Sequence, residues 1–337
     1  GLLHSVRPRA IRQAFDALSA AQIAGALTLT ATSYLLLTLY DSFALHVLGK
    51  KLPWRTAALA SFTSYTLSHN LGLALLTGGS ARYRVYRAAG LDGGAIGSVI
   101  ALASLAFWNG VILLAGLAAA TSTQILPVFD FGLSLHWLHL AGIATVTICL
   151  IPLLLRHFGL RAIEIGGWRT PVPGPAMSAA MTLVAALDFA AASAALFILL
   201  PAPDPAAWPL FFLGYALAII AALISHVPGG LGVFEAVVIA MVPGDKAELL
   251  AALLAYRVIY YLLPLLLAAL LLAWHESRAW HGQARELAAA GQSLLRELAP
   301  PLLAALVFAG GLILLLSGST PAEAARMHDL KHFLPLP

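Results

Sequence analysis

The sequence predicts an all-α, polytopic helical membrane protein with broken or re-entrant helices, and two observations support this. Of its 337 residues, 61% are hydrophobic and only 10% are charged, whereas a soluble domain carries about 25% charged residues. The apolar residues are also concentrated in runs of about 20, the length that an α-helix needs to cross a bilayer. Because a soluble core of this size has no use for so much apolar surface, we expect a chain that is inserted in a membrane.

Most of the apolar runs are candidates for single crossings. They lie near residues 22–48, 56–79, 95–120, 133–155, 177–200 and 248–273, with a shorter one near 299–318. The stretch 209–242 differs, because it is too long for one crossing and is interrupted at SHVPGGLGVFE. Glycine and proline break a helix inside an apolar run, so we predict two half-length segments around this interruption.

This pattern divides the chain into three parts. Residues 1–273 form the predicted transmembrane domain, with re-entrant breaks near 64–80 and 224–236. Residues 274–299 mix charged residues with Leu and Ala at helical spacing, which is typical of an amphipathic helix in the membrane interface. Residues 300–337 are predicted to hold a further transmembrane segment and a tail, and we expect the chain to continue in a longer parent protein.

Basic residues in the loops predict which face of the membrane each loop occupies. Arginines follow the second and fourth runs and separate the last two: Arg82, Arg84, Arg87, Arg156, Arg161, Arg169, Arg278, Arg285 and Arg296. Such residues collect on the cytoplasmic face of a membrane protein, which leaves the stretch 209–242 to enter and leave on the outer face. The same map places Lys50, Lys51 and Arg55 outside, where they fit poorly. A re-entrant second run is the alternative that remains open.

Two glycine-rich words stand at the predicted breaks. One is SYTLSHNLGLALLTGGSARYRVY, with His69 and Asn70, and the other is LISHVPGGLGVFEAVV, with His226, Gly229 and Gly230. In each segment Ser-His stands beside glycines, and Tyr-Arg-Val comes later, at residues 83–85 and 256–258. An internal repeat and a chance similarity are therefore both alternatives. Backbone freed at such a break needs protein or a hydrated cavity around it, and half-helix N-termini there suit a phosphate. The alternative is a kink in which glycine only lets helices pack closely.

Ionisable residues inside the apolar runs are the other candidates for a site. Glu235 lies one turn past the glycines and Arg257 lies in the next run, so an ion pair and contacts with a substrate are both open. Asp188, in AALDFAAASAA, has no partner nearby in the sequence, which favours a position facing a cavity. Arg82 and Arg84 could contact lipid phosphate or anchor the cytoplasmic face.

Several chemistries have no signal in the sequence. It contains neither a phosphate-binding GxxxxGK[ST] loop, nor a GxSxG elbow, nor an HExxH helix. His136 and His139 lack a third ligand and are more typical of anchoring at the membrane surface. We therefore predict no catalytic residue, no metal site, no cofactor and no nucleic-acid partner for this region.

The words SHNLGLALLTGGSARYRVY, SHVPGGLGVFE and LLAYRVIYYLLPLLLA resemble the N-terminal membrane domain of the multiple peptide resistance factors, over roughly residues 20–275. These proteins are bifunctional phosphatidylglycerol lysyltransferases and lysylphosphatidylglycerol flippases, and standalone relatives of their transmembrane region share the words more loosely. The resemblance implies a multi-pass flippase of the bacterial inner membrane that moves aminoacylated phosphatidylglycerol to the outer leaflet and gives resistance to cationic antimicrobial peptides. It implies aminoacyl transfer only for a longer protein with a C-terminal synthase domain.

With that cargo, we expect the phosphate at the broken helices and the ammonium group at Glu235 and Asp188. The predicted substrate-binding residues are His69, Asn70, Arg82, Arg84, Asp188, His226, Gly229, Gly230, Glu235 and Arg257. The expected partners are the aminoacyl lipid, the surrounding membrane lipids and the synthase domain of a parent protein. A homo-oligomer is a further alternative. Two other interpretations are a membrane portion that delivers lipid to a synthase domain and an ion-coupled small-solute transporter with Asp188 and Glu235 as proton sites.

Overall fold

The computed structural model describes residues 13, 15–71, 74–123, 134–156, 158–165, 168–201, 203–242 and 244–279. The long helices are α1 (Ala20–Val47), α2 (Trp54–Leu71), α3 (Ala74–Ala88), α4 (Gly93–Thr121), α5 (Leu135–Cys149), α6 (Pro175–Phe197), α7 (Trp208–Ser225), α8 (Val233–Met241), α9 (Lys246–Tyr256) and α10 (Leu263–Ala279). Shorter elements are a helical turn at Ile151–Leu154, strands β1 (Ala162–Ile165) and β2 (Trp168–Pro171), 3-10 turns at Pro205–Ala207 and Pro228–Gly230, and a π-helical turn at Arg257–Leu262.

Five of these helical stretches are long and apolar enough to cross a membrane. They are Ala20–Val47, Gly93–Thr121, Pro175–Phe197, Pro205–Ser225 and Lys246–Trp274. This confirms the predicted all-α, polytopic fold. The last helix runs on to Ala279, and the remainder of the predicted interfacial helix and the segment 300–337 lie outside the described residues.

The second apolar run is a hairpin of two short helices, not a single crossing. Helix α3 runs back along α2 so closely that a Cβ on Gly78 would lie 2.0 Å from the Ser68 hydroxyl oxygen and 2.7 Å from the Ser64 carbonyl oxygen. Lys50 and Asp92, which flank the hairpin, form an ion pair at 3.9 Å. The two ends of the hairpin therefore lie close together, as the re-entrant alternative for this run predicts.

The stretch 209–242 forms a second hairpin. Helix α7 ends where His226 adopts a left-handed conformation (φ 54°), and Gly229, Gly230 and Gly232 follow with φ of 62°, 61° and 80°. Helix α8 has nine residues, about 14 Å at 1.5 Å per residue, which is too short to cross a core of about 30 Å. A Cβ on Gly214, early in α7, would lie 3.1 Å from the Cβ of Met241 at the end of α8. The two helices are therefore antiparallel around the predicted break. Only α8 is the half-length segment that was expected, because Pro205–Ser225, which includes α7, has 21 residues.

The two halves of the chain repeat one order of elements: a long helix, a hairpin and a second long helix. Helices α1 and α6 open the two halves and pack antiparallel, since Gln22 Nε2 donates to the Ile198 carbonyl at 3.0 Å. Helices α4 and α6 approach closely where Gly110 faces Ala185, because small residues let membrane helices pack without a large apolar driving force. The antiparallel pairing gives the two hairpins opposite directions of entry.

This arrangement collects most of the described basic residues of the loops and helix ends on one face, while Lys246 lies on the other. Lys50, Lys51, Arg55, Arg84, Arg87, Arg156, Arg161 and Arg169 lie at the helix ends and loops of the basic face. Ser98, near the start of α4, contacts Thr170 of β2 at 3.0 Å, which joins the strand pair to the same face. By the positive-inside rule this face is cytoplasmic. With the α2–α3 run folded as a hairpin, Lys50, Lys51 and Arg55 lie with the other basic residues, which is the alternative that the sequence left open.

Candidate functional site

The two hairpins meet in the interior of the molecule. A Cβ on Gly229 would lie 3.1 Å from the Asn70 carbonyl oxygen and 3.6 Å from that of His69, at the end of α2. Asn70 Nδ2 also donates to the Tyr261 carbonyl at 3.2 Å. Tyr261 is next to the middle residue of the helix Lys246–Trp274, so this contact lies near the middle of a helix that is long enough to cross a membrane, a level called mid-depth below. The structure therefore brings the two glycine-rich words together.

Arg257 donates three hydrogen bonds to residues at the second break. Its Nε donates to Glu235 Oε1 at 2.6 Å, and its two Nη atoms donate to the carbonyls of Gly229 (2.5 Å) and Gly230 (3.4 Å). The other carboxylate oxygen of Glu235 accepts from the Gly232 N–H at 2.7 Å, where α8 begins. Arg257 and Glu235 therefore form the ion pair that was one of the two alternatives from the sequence. Arg257 also binds two backbone carbonyls that accept no hydrogen bond within a helix because the break interrupts it.

A widened helical turn carries Arg257. Residues Arg257–Leu262 are π-helical. This local form is rare in proteins as a whole, and where it occurs it is frequently at a functional site. Pro264 has no N–H to serve the Tyr260 carbonyl, and the Tyr34 hydroxyl donates to that carbonyl instead at 3.1 Å. The segment YYLLP, which ends at Pro264, is the sequence signal for this irregular turn.

Asp188 lies in a buried network of hydroxyl groups. It is 4% exposed. Its carboxylate accepts from the Ser33 hydroxyl at 2.5 Å and from the Tyr40 hydroxyl at 3.1 Å, and Ser33 also contacts the Tyr260 hydroxyl at 2.9 Å. Ser33, Asp188 and Tyr260 each lie within two residues of the middle of their helix. The partners of Asp188 come from distant parts of the sequence, which is why no local pattern indicated them.

His69 is surrounded by aromatic rings. The centroids of Tyr34, Tyr65, Tyr260 and Tyr261 lie 6.1 to 6.3 Å from the centroid of its imidazole ring. Its Nδ1 is buried and has no hydrogen-bond partner among the described residues. A buried polar atom without a partner costs about 1–3 kcal/mol, so this nitrogen is available to a ligand that reaches mid-depth.

Arg84 and His226 are placed apart from this cluster, whereas Arg82 reaches its edge, with the guanidinium carbon 4.7 Å from the centroid of the Tyr65 ring. Arg82 forms a buried ion pair with Asp41, with Nε and Nη2 donating to the carboxylate at 2.9 to 3.1 Å, and Tyr86 donates to the same carboxylate at 2.7 Å. Arg84 is exposed at the cytoplasmic end of α3. His226 is exposed as well, and its Nδ1 contacts the Ile224 carbonyl at 2.7 Å.

A groove that the sequence analysis missed runs from the cytoplasmic face towards this cluster. It encloses about 920 Å³ between α1, α2, the end of α3 and α10. Trp54, Arg55 and Trp274 line it where α2 begins and α10 nears its end, and Tyr34 and Phe62 line its inner wall. Aromatic and basic residues at the ends of apolar runs are the usual anchors at a membrane surface, so KKLPWR and LAWHE were usable signals. Because Tyr34 also contacts the His69 ring, the groove and the cluster share a wall.

Two curated proteins are similar to the chain over most of its length. The uncharacterized protein slr0712 of Synechocystis sp. is 37% identical over 276 residues, which cover 81% of this chain and 85% of the relative. The inner membrane protein YbhN of Escherichia coli is 35% identical over 266 residues, which cover 75% of this chain and 80% of the relative. No protein-family model matches the chain.

Proposed function

The chain belongs to the family of the inner membrane protein YbhN, and from that premise we propose that it moves phospholipid between the leaflets of the bacterial inner membrane. The proposed cargo is aminoacylated phosphatidylglycerol, carried from the inner to the outer leaflet. The main support is the mid-depth contact of two hairpins that enter from opposite faces. Transporters built from inverted repeats bind their substrates where broken helices meet near the bilayer midplane.

A headgroup that crosses a bilayer needs polar partners where lipid offers none. Arg257, the carbonyls of Gly229 and Gly230, and the free Nδ1 of His69 supply such partners at mid-depth. The Arg257 guanidinium suits a phosphate because its forked donors match phosphate oxygens. The positive φ angles at Gly229 and Gly230 let this backbone rearrange without the strain that other residues would meet.

The groove supports entry from the cytoplasmic leaflet. Its lining is mostly apolar, which fits an acyl chain, while Arg55 stands at its mouth between Trp54 and Trp274 and fits a lipid phosphate. An acyl chain can stay in the groove as the headgroup moves along the wall shared with the His69 cluster. Along this path the acyl chains stay against apolar side chains and the headgroup stays beside polar groups.

The ion pair of Arg257 and Glu235 favours a headgroup with both signs of charge. Removing one partner of a buried pair costs about 3–5 kcal/mol because the other charge is left alone. A lipid with a phosphate and an ammonium group can separate the pair and leave each charge with a partner. Aminoacyl-phosphatidylglycerol has both groups. The geometry of this ion pair therefore fits the cargo that the resemblance implies.

A leaflet assay with the purified full chain tests the proposal. Vesicles containing lysyl-phosphatidylglycerol or phosphatidylethanolamine are treated with an amine reagent that cannot cross the bilayer, so only amines in the outer leaflet react. We expect the inner pool of lysyl-phosphatidylglycerol to become reactive with time. Phosphatidylethanolamine also carries a phosphate and an ammonium group, so the ion pair alone does not exclude it. We expect it to react more slowly because the resemblance implies an aminoacylated cargo. We also expect Arg257→Gln to slow this by at least about tenfold, which corresponds to about 1.4 kcal/mol.

The control variant is Arg169→Gln, which removes an arginine from the exposed strand pair and leaves the mid-depth site intact. If both lipids move equally, the cargo assignment is wrong. If neither lipid moves faster than in protein-free vesicles, lipid translocation itself is wrong.

A further inference from the structure

The Asp188 network joins the two halves of the molecule at mid-depth. Asp188 belongs to α6, Ser33 and Tyr40 to α1, and Tyr260 to the π-helical turn that also carries Arg257. We propose that Asp188 binds and releases a proton during each transport cycle and thereby couples lipid movement to the proton gradient. This inference rests on the proposed function, and it identifies the coupling ion that the proposed function leaves unassigned.

The surroundings of Asp188 are polar but uncharged. The titratable groups that face it or line the adjoining layer are Tyr34 and Tyr40 of α1, Tyr65 and His69 of α2, Tyr215 of α7, Tyr256 of α9, and Tyr260 of the π-helical turn. From α4, Phe107 contacts Phe189, the residue that follows Asp188. Arg82 and Arg257 are held by Asp41 and Glu235. A charge at the centre of a membrane helix is costly without a partner, and acidic residues placed so are typical of proton pathways.

The network can accommodate Asp188 with and without a proton. When Asp188 is ionised, Tyr260 donates to Ser33, Ser33 donates to Oδ1, and Tyr40 donates to Oδ2. When Asp188 is protonated, its O–H can donate to Ser33, which then donates to the Tyr260 oxygen. The proton binds to one carboxylate oxygen and the Ser33 hydroxyl turns round. The three hydrogen-bonded pairs of oxygens lie 2.5 to 3.1 Å apart.

One helical turn connects this network to the proposed lipid site. The Tyr260 side chain belongs to the network, the Tyr261 carbonyl accepts from Asn70, and Arg257 holds the carbonyls of the second break. A change in the hydrogen bond to Tyr260 therefore acts on the same turn that positions both hairpins. Coupling needs such an element with two arrangements, each favoured by one ligand.

The first experiment detects the proton directly. Infrared difference spectra between about pH 6 and pH 9, recorded on the purified full chain in lipid, show the C=O stretch of any carboxyl group that gains a proton in this range. Exposed carboxyl groups stay ionised there, since their ordinary pKa is about 4. We expect this signal in the wild type, its loss in Asp188→Asn, and its retention in Asp204→Asn, which changes an exposed aspartate on the outer face. If Asp188→Asn does not fold, Ser33→Ala is used, which keeps the carboxyl and is expected to change the frequency of the signal because a hydrogen bond is lost.

The second experiment measures coupling in the lysyl-phosphatidylglycerol vesicles. A pH difference of about one unit is expected to shift the ratio of the lipid between leaflets by up to about tenfold for each proton carried per lipid. Reversing the gradient should reverse the shift, and Asp188→Asn should abolish it.

The outcomes separate the two proposals. A carboxyl signal that is absent from the wild type, or unchanged in both Asp188→Asn and Ser33→Ala, overturns the proton site. Lipid that moves but ignores the pH gradient, or follows a sodium gradient instead, overturns proton coupling and leaves the proposed function intact. If no lipid moves, the proposed function fails and the coupling fails with it, whatever the spectrum shows.

Discussion

The two arginines inside the helical body are neutralised in different ways. Arg82 donates three hydrogen bonds to one carboxylate, that of Asp41, and its guanidinium lies over the Tyr65 ring; Arg82 and Asp41 are buried, at 6% and 0% exposure. Arg257 divides its donors between Glu235 and two backbone carbonyls beside a glycine-rich break. We therefore expect Arg82 to fix the fold and Arg257 to respond to a ligand.

Breaking the Arg82 pair should lower stability, and removing both of its charges should restore much of the loss. Arg82→Met leaves Asp41 buried without a counter-ion, which is expected to reduce the free energy of unfolding by about 3–5 kcal/mol. Arg82→Met combined with Asp41→Asn leaves no unpaired charge. Thermal unfolding of the wild type, both single variants and the double variant in detergent measures the coupling. Equal midpoints for the wild type and Arg82→Met would contradict a structural role.

Replacing Arg257 by lysine should impair transport more than folding. Lysine keeps the charge but cannot donate to Glu235 and two carbonyls in a fixed fork. Each lost hydrogen bond is worth about 0.5–1.5 kcal/mol, so we expect the initial rate of lysyl-phosphatidylglycerol movement to fall by about tenfold. The exposed Arg87→Lys serves as the matched control. A normal rate in Arg257→Lys would show that only the charge matters.

At the scale of the elements, the two hairpins close by different means. The α2–α3 pair depends on a close approach of backbone at Gly78, whereas the α7–α8 pair depends on backbone conformation around Gly229 and on the donors of Arg257. The first hairpin is therefore sensitive to side-chain volume. The second is sensitive to residues that cannot adopt positive φ.

Two neighbouring glycines in α3 test the close approach. Gly78→Ala would place a methyl group 2.7 Å from the Ser64 carbonyl oxygen, and such overpacking costs about 1–3 kcal/mol. Gly79→Ala meets nothing within 4 Å among the described residues and should raise stability slightly, since alanine favours a helix over glycine by about 1 kcal/mol. Thermal unfolding of both variants checks the difference. Equal effects would mean that α2 and α3 do not pack as described.

The second break was readable from the sequence because its signal is local: Pro228 and three glycines interrupt an apolar run. The hairpin of α2 and α3 was only one of two alternatives, because its turn lies in a run that is apolar enough to be a single crossing. The network of Asp188 could not be predicted, since Ser33, Tyr40 and Tyr260 approach it only after three helices have packed. The groove is likewise a property of packing, although its Trp and Arg anchors were visible.

For the whole molecule, orientation follows from the two hairpins together. Each returns the chain to the face where it entered, so the first and second halves cross the membrane in opposite senses. This puts Lys51 and Arg87 on the cytoplasmic face with the strand pair, and Asp204 and Lys246 on the outer face. The inverted order is what places one hairpin tip against the other, so an error in orientation would remove the basis of the proposed site.

Single-cysteine labelling tests this orientation. The only cysteine, Cys149, is 2% exposed, so Cys149→Ala gives a background on which cysteine is introduced at Lys51, Arg87, Asp204 or Lys246. A maleimide that cannot cross the membrane should label positions 204 and 246 in intact cells, and positions 51 and 87 only in inside-out vesicles. Labelling of 51 from outside and 87 from inside would show that α2 and α3 together cross the membrane. In that case the tips of the hairpins could not meet at mid-depth, because the first hairpin would not exist.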